Sequence, residues 1–214
     1  MSKRKIVVFA TIGLIALFFI AGTMYKNKQA NDLEEMTKEK AELLERPYSW
    51  SKGSKDAKVH IVKFFDPTCP ACARTYPIVK RIMKENEGKI RLTLRYAAFS
   101  QTSVYALTML EAARKQDKYT ETLEVIFATQ GQWAYYKKPN PELLWKFLAS
   151  AGVDLDRLGQ DVKDPKIIER IKQDSEDAKT LKITKVPTFF INGKTLPKFG
   201  HKELEDLINS ELQK

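Results

Sequence analysis

The spacing of apolar residues along the chain predicts alternating strands and helices. Residues 59–65 are an almost unbroken apolar run, which is typical of a buried strand. Residues 70–86 have helical spacing, and residues 89–96 alternate apolar and polar side chains as a second strand does. Residues 103–180 return to helical spacing, interrupted by glycine and proline. The central part of the chain therefore predicts a strand, a helix, a strand and a helical block.

The C-terminal part of the chain adds a hairpin and a last helix. Residues 186–191 predict a strand that is entered through a proline. Asn192-Gly193 is a strong signal for a hairpin turn, and residues 194–196 form the returning strand. A helix is predicted over 201–212. The complete order indicates a small α/β sheet with a helical insertion at about residues 100–182.

The N-terminal segment has a separate pattern. Residues 6–25 are apolar and carry no charge, which is about the length that a helix needs to cross a bilayer. The basic cluster Lys3-Arg4-Lys5 before them favours a cytoplasmic N-terminus. We therefore expect residues 1–25 to form a cytoplasmic basic tip and a transmembrane signal anchor, with a cleaved signal peptide as the alternative. In both cases the remainder of the chain is exported.

A charged segment separates this anchor from the rest of the chain. Residues 32–46 have a charged helical pattern, and Pro47 ends it. We expect residues 26–54 to form a helical stalk or linker, either solvated or self-associating. Residues 55–214 are then long enough for one domain with its own core.

The basic charge balance does not indicate nucleic acid binding. The formal net charge is +10 at pH 7. The lysines are interleaved with aspartate and glutamate, and no basic tract contains the aromatic residues typical of a nucleic-acid surface. We interpret the excess charge as a solvated surface and predict no nucleic-acid partner.

The candidate chemistry lies in the two cysteines of the chain, Cys69 and Cys72. Their CxxC spacing, at a strand end and a helix start, is typical of a redox pair. A helix N-terminus favours negative charge and lowers the pKa of a thiol. Zinc usually takes four ligands and the chain has only His60 and His201 besides, so we predict no metal. A purely structural bridge across so short a loop would add little stability.

Two stretches around the pair carry a family resemblance. Residues 64–72 read Phe-Phe-Asp-Pro-Thr-Cys-Pro-Ala-Cys, and residues 186–189 read Val-Pro-Thr-Phe. With Pro77, they resemble the thioredoxin superfamily. The proline after the first cysteine, the valine before the later proline and the long helical insertion resemble its DsbA-like branch of extracytoplasmic thiol–disulfide oxidoreductases. The similarity covers about residues 55–212.

The resemblance implies a fold and a set of roles. It implies a thioredoxin-like α/β fold with a helical insertion, here preceded by the transmembrane helix. Cys69 matches the exposed nucleophile and Cys72 the buried resolving cysteine. Pro187 matches the family's cis-proline, and Val186 would offer its backbone to an extended substrate segment. No cofactor is implied.

Three residues are expected to tune the pair, and two of them depart from the family pattern. Pro70 follows the first cysteine, as in the family. Ala71 stands where strongly oxidising relatives often have histidine, so we expect a weaker oxidant. Lys63 stands where the family usually has a buried acidic residue. It could stabilise a thiolate, carry protons as a neutral amine, or extend its charge to the sheet edge.

The expected function is the oxidation of dithiols in exported proteins, in the bacterial periplasm or at the outer face of the inner membrane. By analogy with the family, a membrane redox partner would reoxidise the pair. Two alternatives stay open. The protein could be a disulfide reductase or isomerase of the same superfamily, or a redox-inert, chaperone-like binding module.

Overall fold

The computed structural model describes residues 3–39, 41–135, 137–196 and 200–214. Within these residues one mixed sheet is surrounded by helices. The strands are β1 (Trp50–Lys52), β2 (Val59–Phe65), β3 (Ile90–Tyr96), β4 (Thr188–Ile191) and β5 (Lys194–Thr195). The helices are α1 (Lys3–Glu39), α2 (Pro70–Glu85), α3 (Gln101–Arg114), α4 (Tyr119–Ala128), α5 (Gln130–Trp133), α6 (Leu143–Leu148), α7 (Leu155–Asp161), α8 (Pro165–Thr180) and α9 (His201–Gln213). Short 3-10 turns cover Ala41–Leu43 and Ala149–Ala151.

The sheet has the strand order β1-β3-β2-β4-β5. Strands β2 and β3 are parallel, and the other neighbours are antiparallel. Since β2 lies at the centre and all its residues except His60 are buried, its sequence is an apolar run rather than an alternating one. The carboxyl ends of β2 and β3 lie at the same edge, where the chain leaves β2 for the cysteines.

The two faces of β2 contribute to separate parts of the core. Ile61 and Phe65 belong to the larger cluster, which also contains Cys72. Phe64 belongs to a smaller cluster on the other face. Side chains alternate between the faces of a strand, so Lys63 lies on the same face as Ile61 and Phe65. A lysine is therefore directed into the interior beneath the cysteines.

Helix α2 begins immediately after Cys69. Pro70 occupies the first turn, where its missing N–H costs nothing. The helix continues through Pro77 and ends at Glu85, close to the predicted 70–86. Its buried face packs against the sheet and includes Cys72.

The predicted helical insertion is the region from α3 to α8, residues 101–180. Trp133 anchors it in the core, fully buried, and its indole N–H donates to the carbonyl oxygen of Ile126 at 3.1 Å. On the opposite side of the sheet, Arg95 of β3 forms ion pairs with Asp174 and Asp177 of α8 at 2.9 and 2.6 Å. Trp133 belongs to the same core cluster as Ile61 and Phe65 of β2. The insertion therefore packs against β2 on one face of the sheet and forms ion pairs with β3 on the other.

Helix α1 runs without a break from the apolar N-terminal segment into the predicted stalk. Its C-terminal part contacts the hairpin, where Thr37 Oγ1 donates to the carbonyl oxygen of Gly193 at 3.0 Å. Among the described residues, no helix combines the length and the apolar character that crossing a membrane requires. The membrane anchor predicted from residues 6–25 thus stays unconfirmed.

The end of the predicted stalk, residues 26–54, is part of the packed structure. Leu43 and Leu44 are buried against the smaller core cluster. Arg46 pairs with Asp177 at 2.7 Å, and β1 pairs with β3. These contacts fix the segment after residue 41 against the sheet, although its sequence lacks the apolar spacing of a core element.

Candidate active site

The turn between β2 and α2, residues 66–69, is closed by the buried carboxylate of Asp66. The backbone N–H and the hydroxyl of Thr68 both donate to Asp66 Oδ1 at 2.7 Å. The N–H of Cys69 donates to the carbonyl oxygen of Asp66 at 3.1 Å. Side-chain capping of this kind is characteristic of aspartate in turns, and here it fixes the backbone from which Cys69 projects.

Two further elements hold the same turn. The N–H of Phe99, after β3, donates to Asp66 Oδ2 at 3.0 Å. The hydroxyl of Ser103, in the first turn of α3, donates to both carboxylate oxygens at 2.7 and 2.8 Å. Gln130 of α5 donates to the carbonyl oxygen of Pro67 at 2.7 Å. The helical insertion therefore supports the turn directly.

Cys69 occupies the N-cap position of α2. The N–H groups of Cys72 and Ala73 donate to its carbonyl oxygen at 3.0 and 3.2 Å. Its side chain is only partly buried, so a reactant can reach the sulfur. In its protonated form the thiol donates to the carbonyl oxygen of Val186 at 3.4 Å, although 117 residues separate the two in the chain.

The contact with Val186 arises from the sheet. Strand β4 pairs with β2 in antiparallel register, with Thr188 opposite Phe64. This pairing places the residues before β4 beside the turn that follows β2. The Val186–Pro187 peptide bond is cis. Cys69 and the Val-Pro loop therefore lie side by side.

Cys72, one helical turn further, is fully buried, and both cysteines are free thiols in this structure. Burial raises the pKa of the Cys72 thiol above its ordinary value, and its hydrogen bond to Cys69 acts in the same direction. The positive charge of Lys63 opposes this shift. Cys72 thus retains its proton under conditions in which Cys69 loses one.

The pKa of the Cys69 thiol is lowered to about 6. The largest cause is the hydrogen bond from the Cys72 thiol, and the backbone N–H groups of Cys72 and Ala71 add to it. Partial burial and the Asp66 carboxylate oppose the shift. The N-terminus of α2, expected from the sequence to lower this pKa, does contribute through these N–H groups, but the neighbouring thiol contributes more. Cys69 is consequently a thiolate at neutral pH.

Lys63 lies under the pair and does not extend to the sheet edge. Its residue surface is 1% exposed, and its ammonium group donates to the carbonyl oxygen of Cys72 at 3.2 Å. Burial lowers the pKa of Lys63 to about 8, while the two cysteines oppose the shift. Of the three alternatives for this lysine, the extended surface position does not occur.

The structure brings most of the predicted site residues together. Cys69 contacts Val186, Cys72 follows Cys69 by one turn in α2, and Lys63 contacts the backbone of Cys72. Pro70 is exposed and Ala71 half-buried in the first turn of α2. Ala71 affects Cys69 through its N–H alone, because its methyl group has no donor.

The sequence interpretation missed the residues that support this turn. In the sequence, Asp66 stands out only as part of the stretch 64–72, and no pattern predicts that Ser103 contacts Asp66 or that Gln130 contacts Pro67. An Asp-Pro-Thr turn is itself the signal that could have identified Asp66, because aspartate in such turns often caps nearby N–H groups. The other two are distant in sequence, and nothing local marks them.

The described residues contain no group of three or more histidine, cysteine, aspartate or glutamate side chains placed to hold a metal ion. The arrangement consists of an accessible thiolate, a buried thiol beside it, and a backbone carbonyl next to the reactive sulfur. An accessible thiolate can attack a disulfide, and a second thiol in the next helical turn can attack the mixed disulfide that results.

Known proteins with a similar sequence or structure have the fold described above. The family model described as Thioredoxin matches residues 45–210. The crystal structure of the thiol-disulfide exchange protein alpha-DsbA2 from Wolbachia pipientis superposes with a TM-score of 0.72 and 18% sequence identity, over 86% of this chain and 97% of that chain. At this identity the likeness is evidence about the fold.

Two curated relatives differ in how much of them the chain spans. The "Probable disulfide bond formation protein D" of Bacillus anthracis is 26% identical over 226 residues, covering 100% of this chain and 99% of the relative. The "Na(+)/H(+) antiporter NhaA 1" of Mycobacterium sp. (strain KMS) is 25% identical over 148 residues, which are 67% of this chain but only 23% of the antiporter. The chain therefore spans less than a quarter of the antiporters it matches.

Proposed function

Because the chain belongs to the thioredoxin family, we propose that it is an extracytoplasmic thiol–disulfide oxidoreductase that oxidises dithiols of exported proteins. Cys69 is its nucleophilic and exchanging sulfur, and Cys72 is its resolving sulfur. The alpha-DsbA2 structure is described as a thiol-disulfide exchange protein, and the full-length relative is named for disulfide bond formation. Both descriptions support this chemistry.

A single observation carries the proposal. The accessible Cys69 sulfur, with its pKa lowered to about 6, lies 3.4 Å from the Val186 carbonyl oxygen and next to the cis Val186–Pro187 bond. A reactive thiolate alone would fit many functions. A backbone segment beside it can in addition hold a polypeptide, which makes a protein dithiol the natural substrate.

The reaction begins from the oxidised form, in which Cys69 and Cys72 are joined. A substrate thiolate attacks the Cys69 sulfur, the new substrate–Cys69 bond forms, and Cys72 leaves as a thiolate that takes up a proton. The second substrate thiolate then attacks the substrate sulfur of the mixed disulfide, and Cys69 leaves as a thiolate. Two electrons pass from the substrate to the protein, which ends as the dithiol.

The stabilised thiolate supports the oxidising direction. Any interaction that favours the Cys69 thiolate favours the reduced protein over its disulfide, and so makes the disulfide more oxidising. The Cys72 thiol and the N–H groups of α2 favour the Cys69 thiolate. The Lys63 charge interacts favourably with both cysteines when they are ionised. Ala71 contributes no side-chain donor, so the protein is a weaker oxidant than a relative with histidine there.

Val186 and Pro187 form the substrate-binding loop. They precede β4, which is paired with β2, so an extended segment that reaches Cys69 passes beside this loop. Backbone hydrogen bonds of Val186 give such a segment affinity without selecting its side chains. This suits an enzyme that acts on many exported proteins.

The location and the redox partner belong to the same proposal. The chain has no cysteines beyond the pair, and its uncharged residues 6–25 follow a basic cluster, as in exported proteins that keep their N-terminal segment at the membrane. A membrane protein at the outer face of the inner membrane would accept the two electrons and restore the Cys69–Cys72 bond.

Equilibration with glutathione buffers of graded ratio tests the function and its direction. The pair should exchange, and it should become fully reduced at a ratio that still contains much oxidised glutathione. A pair that stays oxidised in strongly reducing buffer would instead favour a reductase or isomerase. A reduced protein whose Cys69 resists both glutathione and alkylation would favour the redox-inert binding module. Cys69→Ser is the control, since it cannot form the bond.

A further inference from the structure

Three aromatic rings surround the buried ammonium group of Lys63. Its Nζ lies 5.6 Å from the ring centroid of Tyr76, 5.8 Å from that of Phe127 and 5.7 Å from that of Phe189. A cation within about 6 Å of a ring centroid is attracted by the ring's negative face, and the attraction grows when the site is dry. The rings come from α2, α4 and β4, so they approach the cation from three separate elements.

No carboxylate among the described residues forms an ion pair with this ammonium. Its hydrogen bond goes to the neutral carbonyl oxygen of Cys72. A buried charge without an opposite charge usually loses its proton. Burial lowers the pKa of Lys63 to about 8 against the opposing charges of Cys72 and Cys69, so most of the lysine is charged at neutral pH. The three rings add a further attraction for the cation, in the place where an acidic side chain could otherwise lie.

We propose that Tyr76, Phe127 and Phe189 form a cation cage that keeps Lys63 charged beneath the cysteine pair. In this cage Phe127 is a positioning residue, through which the helical insertion affects the redox equilibrium. The inference rests on the proposed function, since it assigns a part in that same exchange. It adds residues of α4 and β4 to the redox centre.

Few titratable groups lie close enough to the cage to change the charge of Lys63. The titratable groups that face it are Cys69 and Cys72 and the phenol of Tyr76, whose pKa burial raises above its ordinary value. Strand β4 contributes an uncharged ring. Helix α4 contributes Phe127 and also carries Glu121 and Glu124, whose charges act on Tyr76, and the exposed Lys80 of α2 has its Nζ 6.0 Å from the Tyr76 ring centroid. Phe127 also packs on Tyr76, with centroids 5.5 Å apart, so its position is fixed by the core as well as by the lysine.

The direction of the effect follows from the charges. A weaker cage lets Lys63 lose its proton at lower pH. The thiolate of the reduced pair then has less positive charge near it, so the pKa of Cys69 rises. The reduced form is less favoured, and the disulfide becomes a weaker oxidant.

Phe127→Leu tests the cage, and Phe147→Leu is the matched control, because it truncates another half-buried phenylalanine of the insertion. The equilibrium is protein disulfide plus two glutathione thiols going to protein dithiol plus oxidised glutathione, at pH 7. Phe127→Leu should lower its constant about threefold or more and raise the pKa of Cys69 seen in alkylation. Phe127→Tyr keeps a ring and should restore both quantities, whereas Phe147→Leu should change neither.

A double-mutant cycle separates the cage from simple packing. With the cation removed in Lys63→Met, adding Phe127→Leu should leave the glutathione equilibrium unchanged. An equal shift with and without Lys63, or no shift from Phe127→Leu in a folded protein, would overturn the cage. If Phe127→Leu does not fold, Phe127→Met refills the space without a ring and serves instead. A wild-type pair that does not exchange at all would refute the proposed function, a result distinct from either of these.

Discussion

Ser103 donates hydrogen bonds from its hydroxyl to both carboxylate oxygens of Asp66, at 2.8 and 2.7 Å, across 37 positions of the chain. Asp66 in turn holds the backbone of the turn that presents Cys69. The first residues of the helical insertion therefore help to position Cys69. Because the insertion contacts the turn directly, substitutions in it should alter the conformation or stability of the turn.

Replacing Ser103 with alanine should destabilise the protein through this turn. The hydroxyl is fully buried, and its loss leaves the Asp66 carboxylate with one donor fewer. We expect the free energy of unfolding to fall by about 1–3 kcal/mol, as for a buried hydrogen bond to a charged acceptor. Denaturant titration measures it. Thr108→Ala on the same helix is the control, because that hydroxyl donates only to a carbonyl of its own helix. An equal decrease in the free energy of unfolding in both variants would contradict the proposal that the hydrogen bonds from Ser103 to Asp66 stabilise the turn.

The two cysteines should behave differently when each is replaced by serine. Cys72→Ser leaves the accessible sulfur but removes the buried one to which we assign the resolving step, so mixed disulfides with substrate proteins should accumulate. Cys69→Ser leaves only a buried thiol and should trap none. Non-reducing electrophoresis with and without reductant shows the adducts. Comparable trapping by both variants would reverse or remove the assignment of nucleophile and resolving sulfur.

Alkylation of the reduced protein should depend on pH as the lowered pKa of Cys69 requires. Half of Cys69 is thiolate at about pH 6, so the rate with iodoacetamide should level off by about pH 7 and fall about tenfold per pH unit below 6. Cys72 should stay unmodified, which peptide mass analysis can check.

The same shift predicts how the stability of the reduced protein varies with pH. The pKa of Cys69 is lower in the folded protein than its ordinary value of 9.0. Its contribution to folding is therefore complete above about pH 9 and is lost as the pH falls towards 6. Unfolded protein in denaturant, where alkylation should show an ordinary thiol pKa, is the control. An alkylation profile of the folded protein that matches the unfolded one would contradict a stabilised thiolate.

Most of the fold could be predicted from local patterns. The apolar run of β2, the helix after Cys69 and the hairpin at Asn192-Gly193 each have a signal within a few residues, and all three occur as predicted. Strand β1 could not be predicted in this way. It has three residues, and it is a strand only because β3 lies beside it.

The parts of the site that could be predicted are those whose residue types and spacing form a recognisable motif. The cysteine pair and the Val186-Pro187 loop are visible in the sequence, although their separation of 3.4 Å depends on how β4 pairs with β2. The position of Lys63 could not be decided. A lysine on a strand can extend its ammonium group to solvent unless other side chains cover it. Here Phe127 and Phe189, which are distant from Lys63 in the chain, pack over the ammonium group.

The buried ion pairs of Arg95 provide the last prediction. Its guanidinium, fully buried, pairs with Asp174 and Asp177 of α8 and donates to the Leu43 carbonyl oxygen at 2.6 Å. Arg95→Met would leave Asp174 buried without its cation, so the free energy of unfolding should fall by about 3–5 kcal/mol. Arg81→Met, which breaks ion pairs on the solvent-exposed face of α2, should have a far smaller effect because water already solvates those charges. Chemical denaturation of both variants checks this. Because Leu43 precedes β1, losing its hydrogen bond to Arg95 should also destabilise that strand. Amide hydrogen exchange in β1 should then be faster in Arg95→Met than in Arg81→Met. Unchanged exchange would show that pairing with β3 is sufficient to hold β1 in place.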